Sequence, residues 1–199
     1  MSGALTFITG GARSGKSTFA ERLALSHGGR VAYVPTAAVT DGEMASRIAE
    51  HRSRRPVDWV TVECPGTLAE ALREAGQSAS LVLVDCLTVY VARLIPPDLP
   101  EDRPVGADVV EAAEATLGRE LSALAAAISD VDADVILVSN EVGSGLVPAY
   151  PAGRIFRDLV GRANQRLAQA ADSAYLVVAG TPLDLKALQA TAFPWELRD

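Results

Sequence analysis

Apolar positions follow two alternating rhythms along this chain. Short runs rich in β-branched residues read as strands: "LTFIT" (5–9), "VAYVP" (31–35), "WVTVE" (59–63), "LVLVD" (81–85), "DVILVSN" (134–140) and "AYLVVAG" (174–180). Several are apolar on both faces, as strands are in a parallel sheet covered by helices. Between them the spacing predicts helices over about 16–27, 41–55, 67–76, 86–95, 108–129 and 153–171. The clearest stripe is Val110, Ala113, Leu117, Leu121, Leu124 and Ile128, at steps of three and four. Asp108 is the expected cap of that helix, with Glu111 three residues on. Strand–helix alternation of this kind predicts one open, mostly parallel α/β sheet, whose ligands bind at the carboxyl ends of the strands. "PPDLPEDRPVGA" (96–107) reads as a connector, and the chain beyond about residue 186 has little pattern except Trp195, a candidate anchor.

Composition narrows the partners. A net charge of −7 argues against a general nucleic-acid or anionic-membrane binder, so any anion site must be a local basic patch. Two cysteines make no disulfide framework and fit a reducing cytoplasm. "MSGALTFITGG" has no basic leader character. "LVLVDCLTVYVARLI" is the nearest approach to a membrane span, and Asp85 and Arg93 interrupt it.

"GGARSGKS" (10–17) fits G-x-x-x-x-G-K-[ST], and it stands after a strand and before a helix, the context this phosphate loop requires. Gly10, Gly11 and Gly15 allow a tight turn, and with Ala12, Arg13 and Ser14 they aim backbone N–H groups at phosphate. Lys16 reaches the β- and γ-phosphates, and Ser17 holds Mg²⁺. Asp85, at the tip of an apolar strand, is the matching acid for Mg²⁺. A GTPase base-reading motif is absent, and "LSHGG" (25–29) reads as a helix end with His27 at its C-terminus.

"EMASRIAEHRSRRP" (43–56) holds His51, one of two histidines. Met44 and Ile48 share a helical face, and His51 emerges at its edge among Arg47, Arg54 and Arg55. Spacing alone reads this as a solvated basic face. The alternative is a histidine that handles phosphate, kept unprotonated by guanidiniums that also clamp phosphoryl oxygens. "SNEVGSGLVP" (139–148) puts Asn140 and Glu141 at the carboxyl edge of the sheet, where they either face a ligand or close a hydrogen-bonded turn.

Taken with "VECP", "VDCLTVYV" and "FRDLVGRANQRLAQAADSAYLVVAG", these stretches resemble the bifunctional adenosylcobinamide kinase / adenosylcobinamide-phosphate guanylyltransferase family over about residues 5–182. The resemblance implies a single-domain, RecA-like P-loop NTPase fold over 1–185 with a C-terminal tail over 186–199, assembled as a homotrimer. It implies two reactions. The hydroxyl of the adenosylcobinamide side arm takes the γ-phosphoryl of ATP or GTP; then a histidine attacks the α-phosphorus of GTP and passes GMP to cobinamide phosphate. That histidine maps onto His51, and the position before it, where relatives can carry a second histidine, is Glu50. The family's nucleotide contacts map onto the P-loop, Thr36, Ala37, Ala38, Arg52, Ser53, Arg54, Arg55, Glu63 and Asp85. Arg93 stands where relatives often have Asn, at a substrate-side or packing contact. Two competing readings are a P-loop kinase of another small alcohol without guanylyl transfer, and a non-catalytic nucleotide binder.

Overall fold

The computed structural model describes residues 3–36, 55–100 and 103–192, with side chains to 188. Seven strands form one sheet: β1 (Leu5–Gly10), β2 (Val31–Pro35), β3 (Val60–Thr61), β4 (Leu81–Asp85), β5 (Asp134–Val138), β6 (Ser173–Val178) and β7 (Thr181–Asp184). Their order is β3-β2-β4-β5-β1-β6-β7. All neighbours pair in parallel except β6 and β7. The helices of the described residues are α1 (Lys16–His27), α2 (Leu68–Gly76), α3 (Leu87–Ala92), α4 (Ala107–Asp130), α5 (Pro151–Ala170) and α6 (Leu185–Ala192). Among the described residues no helix is long and apolar enough to cross a membrane.

The predicted parallel α/β sheet is what forms, because strands such as "LVLV" bury both faces. One face carries Phe7, Val82, Val84, Val135 and Leu137 against α2, α3, α4 and α5. The other carries Ile8, Leu81, Leu83, Ile136 and Val138 against Ala20 and Ala24 of α1. Alternation along each strand therefore assigns every side chain at the carboxyl edge to one layer or the other. β5 lies between the P-loop strand β1 and the Asp85 strand β4, so the two phosphate-site motifs are one strand apart.

Three local expectations change. Asp108 does not cap α4: Gly106 is the N-cap, it makes no side-chain cap bond, and Asp108 sits inside the first turn. A reciprocal capping box forms instead at α2. There the Thr67 hydroxyl accepts from the Glu70 amide (3.2 Å), and the Glu70 carboxylate accepts from the Thr67 amide (3.1 Å). The strand expected over 59–63 shortens to Val60–Thr61, an exposed edge with one pairing partner. Beyond β6 the chain turns at Gly180 into antiparallel β7 and then α6, which packs on β6, where the sequence showed little pattern. The predicted helix over 41–55 falls outside the described residues up to 54, as does Trp195.

The 96–107 stretch is a connector whose Leu99 and Val105 pack against the core. At the amino edge, His27 ends α1 as expected, and its Nε2 lies 3.2 Å from the Asp134 carboxylate. In urea unfolding, Thr67→Ala should cost about 1 kcal/mol through the lost cap. Asp108→Ala should cost no more than about 0.5 kcal/mol, since only a dipole interaction is lost. Equal losses would contradict the capping geometry.

Candidate active site at the carboxyl edge of the sheet

β1 delivers Gly10 to the carboxyl edge, and the chain loops through residues 11–15 into α1. Gly15 has φ +94°, and a Cβ there would stand 3.1 Å from the Gly180 Cα. Gly10 has no room either, since a Cβ would meet the Val177 carbonyl oxygen at 2.5 Å. Arg13 is also left-handed (φ 57°), an uncommon conformation for a non-glycine residue. Left-handed residues at 13 and 15 curl successive N–H groups to one side and make an anion-binding concavity. The first N–H groups of α1, which lack intrahelical partners, add to it. Gly11 meets nothing at its Cβ position, so of the three loop glycines it is the one not required by space.

The loop is held from both sides. The Glu141 amide donates to the Gly10 carbonyl (3.0 Å), and the Gly180 amide donates to the Ser14 carbonyl (2.8 Å). Lys16 Nζ folds back over the loop onto the Gly11 carbonyl (3.3 Å). Asp85 ends β4 and is joined to Cys86 by a cis peptide bond. The Thr36 hydroxyl brackets this turn, donating to the Cys86 carbonyl (2.5 Å) and accepting from the Cys86 amide (3.0 Å). Burial first, and then the Asp85 charge, push the Cys86 thiol up to about 11, while Lys16 pulls it back. Lys16 follows β1 and Asp85 ends β4, so both stand at the carboxyl edge of the sheet with only β5 between their strands.

Tyr33 faces the α1 layer below Asp85. Burial, with Asp85 and Glu21 nearby, raises its pKa, and Arg55 lowers it. The Arg55 guanidinium lies 3.5 Å from the centre of the Tyr33 ring, so the last arginine of the basic run is anchored against the strand that leads to Thr36. Glu63 is exposed two residues past β3. Arg93 is a packing and loop contact: it donates to the carbonyls of Cys64 (2.8 Å), Pro65 (3.0 Å) and Gly66 (3.3 Å), fixing the turn that follows Glu63.

Of the sequence-assigned residues, Gly10 to Ser17, Thr36, Arg55, Glu63 and Asp85 are described, and His51, Arg52, Ser53, Arg54, Ala37 and Ala38 lie outside the described residues. For a cation, Ser17 in the first turn of α1 and Asp85 offer hard oxygen donors. That set suits Mg²⁺, which binds through one or two protein oxygens with phosphates and waters. The described residues contain no cluster of three His, Cys, Asp or Glu that would make an all-protein cage.

A buried polar network behind the edge was missed in the sequence. The Thr88 and Ser139 hydroxyls lie 3.2 Å apart. Ser139 Oγ donates to Asn164 Oδ1 (2.6 Å), and Asn164 Nδ2 donates to the Asn140 carbonyl (2.9 Å). The available signal was Asn164 itself, a carboxamide on the helical face shared by Val160, Ala163 and Leu167. Glu141 turns its carboxylate onto the amides of Gly143 (2.6 Å) and Ser144 (3.3 Å), and Arg157 holds the Gly143 carbonyl (2.6 Å). Of the two sequence readings of this segment the hydrogen-bonded turn is what forms, and through the Glu141 amide it also braces the P-loop.

Comparison with known proteins points to one family. The family model described as cobinamide kinase / cobinamide phosphate guanyltransferase matches residues 6–185. The bifunctional adenosylcobalamin biosynthesis protein CobP of Pseudomonas aeruginosa is 41% identical over 179 residues, covering 90% of this chain and 95% of that protein. The bifunctional adenosylcobalamin biosynthesis protein CobU of Escherichia coli is 40% identical over 182 residues, 92% of this chain and 99% of that protein. The protein of that name from Salmonella typhimurium matches to the same extent.

Burial raises the Glu141 pKa, but the Ser144 and Gly143 donors and the Arg157 charge outweigh it and leave it lowered. A carboxyl with a depressed folded pKa contributes fully above its unfolded value and loses that contribution as pH falls through the folded value. The difference in thermal midpoint between wild type and Glu141→Gln should therefore be flat near neutrality. It should close on acidification below the ordinary value of 4.5. A difference that widened in acid would contradict this turn.

Proposed function

Because the chain belongs to the cobinamide kinase / cobinamide phosphate guanyltransferase family, we propose that it catalyses both reactions of that description, on adenosylcobinamide. The observation that carries the reading is that the P-loop and Asp85 lie at the same carboxyl edge, one strand apart, with the loop braced by Glu141 and Gly180. In the kinase reaction the Gly10–Ser17 loop cradles the phosphates of ATP or GTP, and Lys16 neutralises charge at the β- and γ-phosphates. Ser17 and Asp85 hold the nucleotide's Mg²⁺, which supplies charge neutralisation on the phosphates when bound. Phosphoryl transfer requires mainly positioning and charge stabilisation, and this edge supplies both.

In the guanylyl transfer, His51 attacks the α-phosphorus of GTP. A nitrogen–phosphorus bond forms as the bond to pyrophosphate breaks, and a phosphate oxygen of cobinamide phosphate then displaces the histidine. Covalent catalysis divides one hard transfer into two easier ones. The role of His51 rests on the "EMASRIAEHRSRRP" motif and on family membership. Arg52, Ser53 and Arg54 belong to the same reading as phosphate neighbours, and Ala37 and Ala38 as nucleotide contacts beside Thr36. Stacking of Arg55 on Tyr33 supports it, by tying the end of that motif to the edge that bears Asp85.

On this reading the enzyme is cytoplasmic and homotrimeric. Two free cysteines fit a reducing compartment. Exposed Leu146, Val147 and Tyr150 offer an apolar surface to a second copy. Incubation with α-labelled GTP and Mg²⁺ should give an acid-labile, base-stable protein adduct that His51→Ala lacks. With γ-labelled ATP and cobinamide, Lys16→Ala should lose about 10²-fold or more in kcat. A normal adduct level in His51→Ala would overturn the guanylyl-transfer assignment.

A further inference from the structure

Asn140 stands between the two halves of the phosphate site. The chain past β5 continues along β1, with Ser139 N–H on the Ile8 carbonyl (2.8 Å) and Glu141 N–H on the Gly10 carbonyl (3.0 Å). Side chains alternate along such a segment. Ile136 and Val138 belong to the α1 face, as do Leu81 and Leu83 of β4. Two residues further along each chain, Asn140 and Asp85 occupy positions on that same face. Asp85 is paired with Val138 in the register, so Asn140 lies one pleat beyond it, about 7 Å toward the open edge. Ser139, of opposite parity, joins Asn164 on the other face.

The Asn140 main chain is fully engaged: its N–H donates to Thr88 Oγ1 (2.6 Å) and its carbonyl accepts from Asn164 Nδ2 (2.9 Å). Its side-chain Oδ1 is buried and meets no hydrogen-bond donor among the described residues. A buried acceptor without a donor is costly, and such a group calls for a functional explanation. Thr88, Asn164 and the flanking amides fix the backbone that carries it, so Asn140 is held between the strand that leads into the P-loop and the strand that ends at Asp85. The group that completes Oδ1 must be a donor, and the kinase reaction brings one: the hydroxyl of its alcohol substrate.

We propose that Asn140 is a catalytic residue of the kinase reaction, its Oδ1 accepting the hydrogen bond of the acceptor hydroxyl and directing that oxygen at the terminal phosphorus. This rests on the P-loop being the phosphoryl-donor site. A carboxamide is no base, so Asn140 orients the hydroxyl and does not take its proton. The alcohol oxygen bonds to phosphorus as the bridging bond breaks. The nucleoside diphosphate leaves with that electron pair, and the hydroxyl proton passes to an oxygen of the transferred phosphoryl group. A loose transition state asks little of a base, so an orienting acceptor is sufficient.

The test is steady-state phosphorylation of cobinamide by wild type, Asn140→Ala and Asn140→Ser, with Lys16→Ala alongside. Both Asn140 variants should lose about 10²-fold in kcat, an effect the size of one misplaced catalytic contact. The Kd for a non-hydrolysable ATP analogue should stay within about threefold, and the thermal midpoint within about 3 °C. Serine is expected to fail like alanine because its shorter side chain withdraws the acceptor. Unchanged kcat, or nucleotide affinity falling in step with rate, would overturn the proposal. Full kinase activity in Lys16→Ala would instead remove the P-loop reading on which it stands.

Discussion

Two backbone hydrogen bonds decide whether this site exists. The Glu141 amide on the Gly10 carbonyl and the Gly180 amide on the Ser14 carbonyl clamp the phosphate loop between the strands that flank β1. The loop is too short and too curled to be stable alone, and it spends conformational energy on left-handed residues at 13 and 15. Its partners come from the far end of the chain. Closing such long loops is entropically expensive, and the parallel sheet offsets that cost by burying both faces of its central strands.

The same clamp explains why the segment after β5 carries so much polarity. Glu141 presents its amide to the P-loop and its carboxylate to the amides of Gly143 and Ser144. Arg157 from α5 closes the turn from outside. Behind it, Thr88, Ser139 and Asn164 tie the turn after Asp85, the tip of β5 and the middle of α5 into one buried network. A satisfied buried network rigidifies what it connects. Lys16, Asp85 and Asn140 are thus carried by three segments locked to one another, an arrangement suited to chemistry that depends on fixed charges and fixed distances.

Much of this was legible one segment at a time. The P-loop announces itself because its glycines and Lys16 sit between a strand pattern and a helix pattern, and both patterns are periodic. The α4 stripe from Ala113 to Ile128 reads directly, since every member is buried as its spacing implies. The cap of the same helix did not read directly. Asp108 has the right chemistry, but the chain enters the helix two residues earlier, at Gly106, and cap geometry depends on that entry. β7 and α6 were invisible because an exposed antiparallel edge has no apolar alternation to detect.

The sequence by itself determined the class of fold, the phosphate loop and the acid that faces it, since each is written in a short window of residue types and spacings. The basic stretch around His51 was likewise recognisable only as a motif. Tertiary structure alone decided that β5 lies between β1 and β4. It also decided that Arg93 fixes a loop, that Arg55 stacks on Tyr33, and that Asn140 shares a face with Asp85. The reason is physical: periodicity reports how one segment meets the core, while strand order and hydrogen bonds between distant segments are properties of pairs. Asp172, whose carboxylate accepts from the Leu5 amide, and Asp134, which does the same for Ala4, anchor the start of β1 from the far half of the chain. No window of sequence contains both partners.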